Sequence, residues 1–389
     1  MSGSEARRIL IAGGGTAGHV LPGLAIAEAL VDRGVVADRS GVHLVGSRRG
    51  IEVDLVPPTG FGLTVLPGRG IQRTLTPANL LAVSGLALAF LQALVLLVRS
   101  RPAVVLSLGG YASVPCSLAA IILRVPLLVA EQNAVPGAAN RLAGRFARAC
   151  AVSFPGTDLP RSTVTGNPVR GAVKTVAYGR RSPGEGASDR RSARKALGVD
   201  GRPFVLVFGG SLGARRINRA AAGAVEDWTG GPVVIEHVVG ARGWNDPRER
   251  AGSPGPEVEY RPVEYEADMP TVLSAVDLVV CRAGATSVAE LSAIGVPSIL
   301  IPLPGAPGDH QTANAEHLER CGGARLVPDG ELDGDRLKAE LSVLLASPTS
   351  LEAMADGARS VGVPDAADRV VEMVADLLDG RLVSGDSSS

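Results

Sequence analysis

The chain has 389 residues, 46% of them apolar, 20% charged and only 3% aromatic, which suggests two domains with cores of Leu, Val, Ile and Ala. Lysine plus arginine and aspartate plus glutamate both number 39, and that balance argues against a general nucleic-acid binder, which carries a basic excess. Cys116, Cys150, Cys281 and Cys321 show neither metal-ligand spacing nor a disulfide framework, and Met1 to Arg8 lacks a signal peptide's apolar run, so reduced thiols in a cytosolic protein are expected.

In chain order, Ile9–Ala12 reads as a buried strand, then a glycine turn and a helix from about Leu21 to Arg33. Val42–Val45 and Thr64–Leu66 are strands. Residues 80–98 are nearly all apolar, and a spanning helix needs about 20 such residues. Arg99, Arg101 and a strand at Val104–Ser107 follow. A span would put that strand across the bilayer from its sheet partners, so a buried or membrane-surface helix is expected. Pro126–Val129 is another strand. Tyr178 to Arg194 is rich in loop formers and predicts a mobile loop near the domain boundary. The rhythm then restarts. Phe204–Phe208, Val233–Val238, Leu278–Cys281 and Ser298–Ile301 read as strands, with a helix from about Ser287 to Ile294. Strands alternating with helices imply α/β parallel sheets covered on both faces.

Gly13-Gly14-Gly15-Thr16-Ala17-Gly18-His19 joins a strand to a helix. Glycines permit a tight turn and close ligand approach, and a helix start favours an anion. The run also fits a dinucleotide turn, which expects an acidic residue at the end of the second strand. That place holds Gly46-Ser47-Arg48-Arg49, compatible only with a phosphorylated ribose; a plain turn without ligand is the other possibility. His19 can be a general base or a capping residue. Gly209-Gly210-Ser211-Leu212-Gly213 repeats the turn in the second half. Cys281 to Glu290 leaves a strand for a helix, with Thr286 and Glu290 on one face, suited to phosphate and ribose. Asp309-His310-Gln311 lies past the next strand and suits sugar hydroxyls.

Taken together, Gly14 to His19, Gly109-Gly110-Tyr111, Glu131-Gln132-Asn133 with Pro136-Gly137, Gly166 to Arg170, Gly209 to Ala214, Arg282 to Ala285, Glu290 and Asp309 to Ala315 stand in an order that resembles one family. It is that of the UDP-N-acetylglucosamine:lipid I transferases of peptidoglycan synthesis, in glycosyltransferase family 28. The resemblance implies a GT-B fold, two Rossmann-like parallel-sheet domains facing across a cleft. The domains would be 1–172, on the acceptor and membrane side, and 195–365, holding UDP-GlcNAc. Residues 173–194 would form a mobile linker and the helix at about 366–380 would pack back on the first domain. By similarity Thr16, Ala17, Gly18, Asn133, Arg170, Ser211, Ala285, Thr286, Glu290 and Gln311 contact the donor, and the backbone of Glu266 holds the uracil. Ala17 replaces a commoner glycine.

The reaction implied is inverting transfer of N-acetylglucosamine from UDP-GlcNAc to lipid I at the cytoplasmic face of the cell membrane by a peripheral enzyme. His19 is the first choice of base, with Glu131 and Tyr111 behind it. No cofactor or metal is expected: Asp333 and Asp335 form a D-x-D pair, but after Gly330 and before a helix they read as a cap. The Ile71-Gln72-Arg73 loop and the helix at 80–98 suit a membrane surface. The alternatives are a UDP-sugar:diacylglycerol transferase, a UDP-GlcNAc 2-epimerase and a nucleotide-sugar sensor.

Overall fold

The computed structural model describes residues 7–48, 50–67, 78–182, 185–199, 201–210 and 212–381. The chain divides into two compact units, 1–170 with 365–389, and 171–364.

The first unit runs β1 (Ile9–Gly13), α1 (Ala17–Asp32), β2 (Val42–Ser47), α2 (Glu52–Leu55), β3 (Gly62–Leu66), α3 (Ala78–Ser100), β4 (Val104–Gly109), α4 (Ser113–Ile122), β5 (Leu127–Glu131), α5 (Ala138–Gly144), β6 (Ala149–Val152) and β7 (Ser162–Val164). Its seven strands are ordered β3-β2-β1-β4-β5-β6-β7 and pair in parallel. Side chains alternate across a strand, so each sheet face has its own core. Ile9, Ile11, Val104, Leu106 and Leu108 face α1, while Leu10, Ala12 and Val105 face α3 and α4. Strands apolar on both faces are what a doubly covered parallel sheet requires.

Helix α3 buries Ala89, Ala93 and Leu97, one residue per turn, and small residues there let the helix lie close to the sheet. Its other face exposes Leu88, Leu91, Val95 and Val98, each 49–59% accessible. Among the described residues no helix is long and apolar enough to cross a membrane.

The second unit runs α6 (Gly171–Arg181), α7 (Glu185–Ala196), β8 (Phe204–Phe208), α8 (Arg215–Ala224), β9 (Val233–Val238), β10 (Val258–Val263), α9 (Met269–Ala275), β11 (Leu278–Arg282), α10 (Ala285–Ile294), β12 (Ser298–Ile301), α11 (His310–Arg320), β13 (Ala324–Leu326), α12 (Gly334–Leu345) and α13 (Pro348–Val361). Its parallel sheet has the order β10-β9-β8-β11-β12-β13. The last helix, α14 (Ala366–Leu378), belongs to the first unit. It buries Val370, Val371 and Val374 in the core that α1 covers, and Glu372 meets Arg33 at 2.8 Å.

Tyr178 to Arg194 is not the loop that its composition predicts, nor is 173–194 a linker between the units. The segment forms most of α6 and most of α7, both inside the second unit. Arginines, which read as loop polarity, are the anchors. Arg180 donates to the Val276 carbonyl at 2.6 Å, Arg181 to the Ala293 carbonyl at 3.1 Å, and Arg194 to Asp277 at 3.0 Å.

Candidate active site

An open parallel sheet binds ligands beyond the carboxyl ends of its strands, where the strand order reverses. In the first unit that point lies between β1 and β4. The turn leaving β1 is shaped around a carboxylate of its own chain. Glu52 is 1% exposed. Its Oε2 accepts from the Gly15 N–H at 2.9 Å, and its Oε1 from the Ser47 N–H and, at 3.1 Å, the Ser47 hydroxyl. A Cβ on Gly14, Gly46 or Gly50 would fall within 2.0–2.3 Å of this side chain. Glycine is needed here for space. The amide of Gly15 is therefore already satisfied by the Glu52 side chain, which removes one of the donors that the glycine turn offered to a phosphate.

Thr16 is the exposed N-cap residue of α1, and Ala17, Gly18 and His19 form its half-buried first turn. The helix begins four residues before Leu21, so His19 is a helix residue. Its Nδ1 lies 3.2 Å from the Thr16 hydroxyl. The end of β4 closes over it: Gly109 and Gly110 have φ of +89° and +79°, the left-handed region that only glycine adopts freely. A Cβ on Gly109 would sit 3.4 Å from His19 Nε2 and 3.1 Å from Asn140 Nδ2; one on Gly110 would sit 2.5 Å from the Gly14 carbonyl. The two glycine segments thus pack backbone against backbone, with the imidazole beside them.

The two weaker base candidates are each held by hydrogen bonds. Glu131 is 3% exposed. Its Oε1 accepts from the Asn133 N–H at 3.0 Å and Asn133 Nδ2 at 3.3 Å, and its Oε2 from the Gly137 N–H at 3.1 Å and Asn140 Nδ2 at 2.9 Å. Four donors fill the carboxylate, which holds the loop after β5 rather than offering a lone pair. Tyr111 donates its hydroxyl to the Pro67 carbonyl at 2.9 Å, and burial raises its pKa above the usual phenol value. At neutral pH it is a proton donor. Arg170 is the half-buried last residue of the first unit's main segment.

In the second unit the order reverses between β8 and β11. Gly284 caps α10 with φ −65° and ψ 144°, so the first-turn amides of Ala285 and Thr286 face the strand ends. Thr286 Oγ1 is buried without a partner among the described residues, and Glu290 is 8% exposed one turn further on. Gln311 on α11 accepts from the Leu303 N–H at 3.0 Å, leaving its amide NH2 to donate. Ser211 lies outside the described residues, as do Arg49 and residues 71–73. Glu266, half-buried after β10, accepts from the Asp268 N–H at 2.5 Å. Its carboxylate stands near Glu236, whose pKa rises to about 7, chiefly through burial and then through repulsion by Glu266. Asp333 caps α12, accepting from the Arg336 N–H at 2.8 Å.

Three contributors escape a reading of the sequence. Glu52 is one glutamate in an unremarked stretch, and only the glycines at 46 and 50 hinted at a buried neighbour. Asn140 joins the ends of β4 and β5, donating to the Ala130 carbonyl at 3.2 Å and accepting from Ser107 at 3.2 Å. Asp329 meets Arg282 at 2.6 Å with both side chains under 15% exposed. Arg282 also donates to the Ile301 and Pro302 carbonyls, pinning the ends of β11 and β12 beside α10.

Two doubly covered parallel sheets, each with a glycine turn and a helix start at its switch point, are the architecture of the GT-B class. The N-terminal domain model of glycosyltransferase family 28 matches residues 9–152 and its C-terminal domain model residues 204–370. The chain belongs to glycosyltransferase family 28. It is 38% identical over 381 residues to a UDP-N-acetylglucosamine--N-acetylmuramyl-(pentapeptide) pyrophosphoryl-undecaprenol N-acetylglucosamine transferase of Desulforudis audaxviator, covering 94% of this chain and 97% of that one. The enzyme of the same name from Alkalilimnicola ehrlichii is 42% identical over 368 residues, with the same coverage. The crystal structure of Acinetobacter baumannii MurG superposes with a TM-score of 0.73 at 27% identity, over 95% of this chain and 99% of that one.

Proposed function

We propose that the protein transfers N-acetylglucosamine from UDP-GlcNAc to lipid I, with inversion, forming lipid II at the cytoplasmic face of the bacterial cell membrane. The observation that carries this reading is the pair of strand-end sites of complementary chemistry in a family 28 chain. One presents an imidazole on a helix start; the other presents a helix N-terminus with Thr286 and Glu290 on one face.

In this reading the second unit holds the donor. The first-turn amides of α10 and the Thr286 hydroxyl receive the diphosphate, Glu290 accepts from the ribose hydroxyls, and Gln311 donates to the sugar. The amides gain most as the departing UDP gains charge, so they favour the transition state over the ground state. Glu266 contributes backbone to the uracil, and Ser211, Arg170 and Asn133 complete the donor contacts. In the first unit His19 removes the proton of the acceptor hydroxyl as that oxygen attacks the anomeric carbon from the face opposite UDP. Thr16 orients the ring through Nδ1. Glu131 and Asn140 hold the loops around it.

The lipid acceptor requires a membrane surface. The exposed face of α3 (Leu88, Leu91, Val95, Val98), followed by Arg99, combines an apolar strip with basic residues, as a peripheral interfacial helix does.

The test is UDP release from UDP-GlcNAc with lipid I, with diacylglycerol and with no acceptor. Release with lipid I alone is expected. Release with diacylglycerol only, or epimer or UDP formation without acceptor, contradicts the proposal.

A further inference from the structure

The second sheet has another edge, at the amino ends of its strands. Val276 and Asp277 lead into β11 there, and Gly295 and Pro297 into β12. Helices α6, α7 and α13 stand against this edge and leave a pocket of about 650 Å³. Among the described residues five arginines line it, Arg180, Arg190, Arg191, Arg194 and Arg359, against two carboxylates, Asp277 and Glu352; Arg359 also pairs with Asp356, and Arg194 donates to the Ala275 and Arg202 carbonyls. Asp277 already receives Arg190, Arg194 at 3.0 Å and the Phe204 N–H at 2.8 Å. It is shared several ways and cannot neutralise the group.

We infer that this pocket binds a soluble, phosphate-bearing small anion, at the edge of the sheet opposite the donor site. The guanidiniums come from three different helices and converge on one concavity, so they are not one solvated helix face. Planar guanidinium forks match phosphate oxygens in pairs. Arg180 and Arg190 each direct a single terminal nitrogen to the sheet edge, at the Val276 carbonyl and Asp277, and make no other side-chain hydrogen bond among the described residues. The Nε of Arg190 is buried with no partner. The positive charge is crowded: Arg180 falls to about 9, first through burial and then through Arg190, with Arg359 and Arg194 adding to it and Asp277 opposing. A bound anion relieves that repulsion. The volume admits a diphosphate or a nucleotide-sized molecule, and the concave shape favours a soluble ligand over a bilayer headgroup.

The inference does not depend on the transfer reaction, and its test keeps the two apart. The full chain, with UDP present at saturation, is titrated calorimetrically with inorganic pyrophosphate. Binding that persists in UDP, weakens as salt rises, and falls about tenfold or more in an Arg191→Gln/Arg359→Gln double variant is expected, since a charge-assisted pair contributes on the scale of 1.4 kcal/mol or more. UDP affinity and transfer activity should stay at wild-type values in that variant. Arg191→Gln alone, at an exposed side chain, should weaken pyrophosphate in the same direction. Absence of pyrophosphate binding, its loss when UDP is added, or unchanged affinity in both variants overturns the inference. So does recovery of a comparable arginine-dependent affinity only with phosphatidylglycerol vesicles, which assigns the pocket to lipid.

Discussion

At the scale of single residues, the chemistry rests on side chains whose surroundings fix their role. Glu290 and Thr286 share a face of α10 because three to four residues make one helical turn, so their spacing in the sequence alone shows it. Glu290→Ala should raise the donor KM about ten- to a hundredfold with kcat little changed, since a charge-assisted hydrogen bond contributes about 1.5–3 kcal/mol; a fall in kcat at constant KM would refute a binding role. Glu236 offers a pH test. Its folded pKa, about 7, lies above the usual 4.5, so the folded state holds a proton that the unfolded state releases. Its contribution to stability is present below pH 4.5 and is lost as pH rises through 7, by up to about 3 kcal/mol. Glu236→Gln should therefore melt close to wild type at pH 4.5 and increasingly above it toward pH 8; a difference independent of pH would contradict this. Glu131 shows what residue type alone does not tell: four donors from Asn133, Gly137 and Asn140 make its carboxylate the brace of the loop after β5. Glu52 was illegible for a related reason, because its partners Gly15 and Ser47 are distant in sequence or are backbone amides, which leave no mark on composition.

At the scale of elements, apolar runs were the most legible feature. The strands at 9–13, 104–109, 204–208 and 278–282 all carry enough Val, Ile and Leu to stand out. Short edge strands such as β7 (Ser162–Val164), which is exposed throughout, and β13 (Ala324–Leu326) carry too little apolar signal to mark themselves. Helices α6 and α7 were lost because their anchors are arginines, and hydrophobic periodicity does not register an ion pair or a bond to a carbonyl. Helix α3 sits between these cases. Its apolar run is plain in the sequence, but which face meets the sheet follows only from packing. Because Leu91 and Val95 are exposed, Leu91→Glu/Val95→Glu should leave melting unchanged. The partition onto anionic vesicles should drop about a hundredfold or more, as expected for two apolar contacts of about 1.5 kcal/mol or more each. Unaltered cosedimentation would remove α3 from the membrane interface.

At the scale of the whole molecule, the chain repeats one architectural idea with different chemistry at each switch point. The sequence shows the repetition because each half opens with strand, glycine turn and helix. It does not show that the first turn is partly filled by Glu52; in the proposed reading the diphosphate lies on the second unit's helix start and the first unit supplies the base. This division of labour is the central claim, and His19 tests it most directly. Steady-state kinetics of His19→Ala, with UDP-GlcNAc varied at saturating lipid I, should show kcat reduced about 10²–10⁴-fold, the usual contribution of a general base, at near-constant donor KM. Wild-type kcat with a raised donor KM would contradict it, placing His19 on the donor instead of the acceptor hydroxyl.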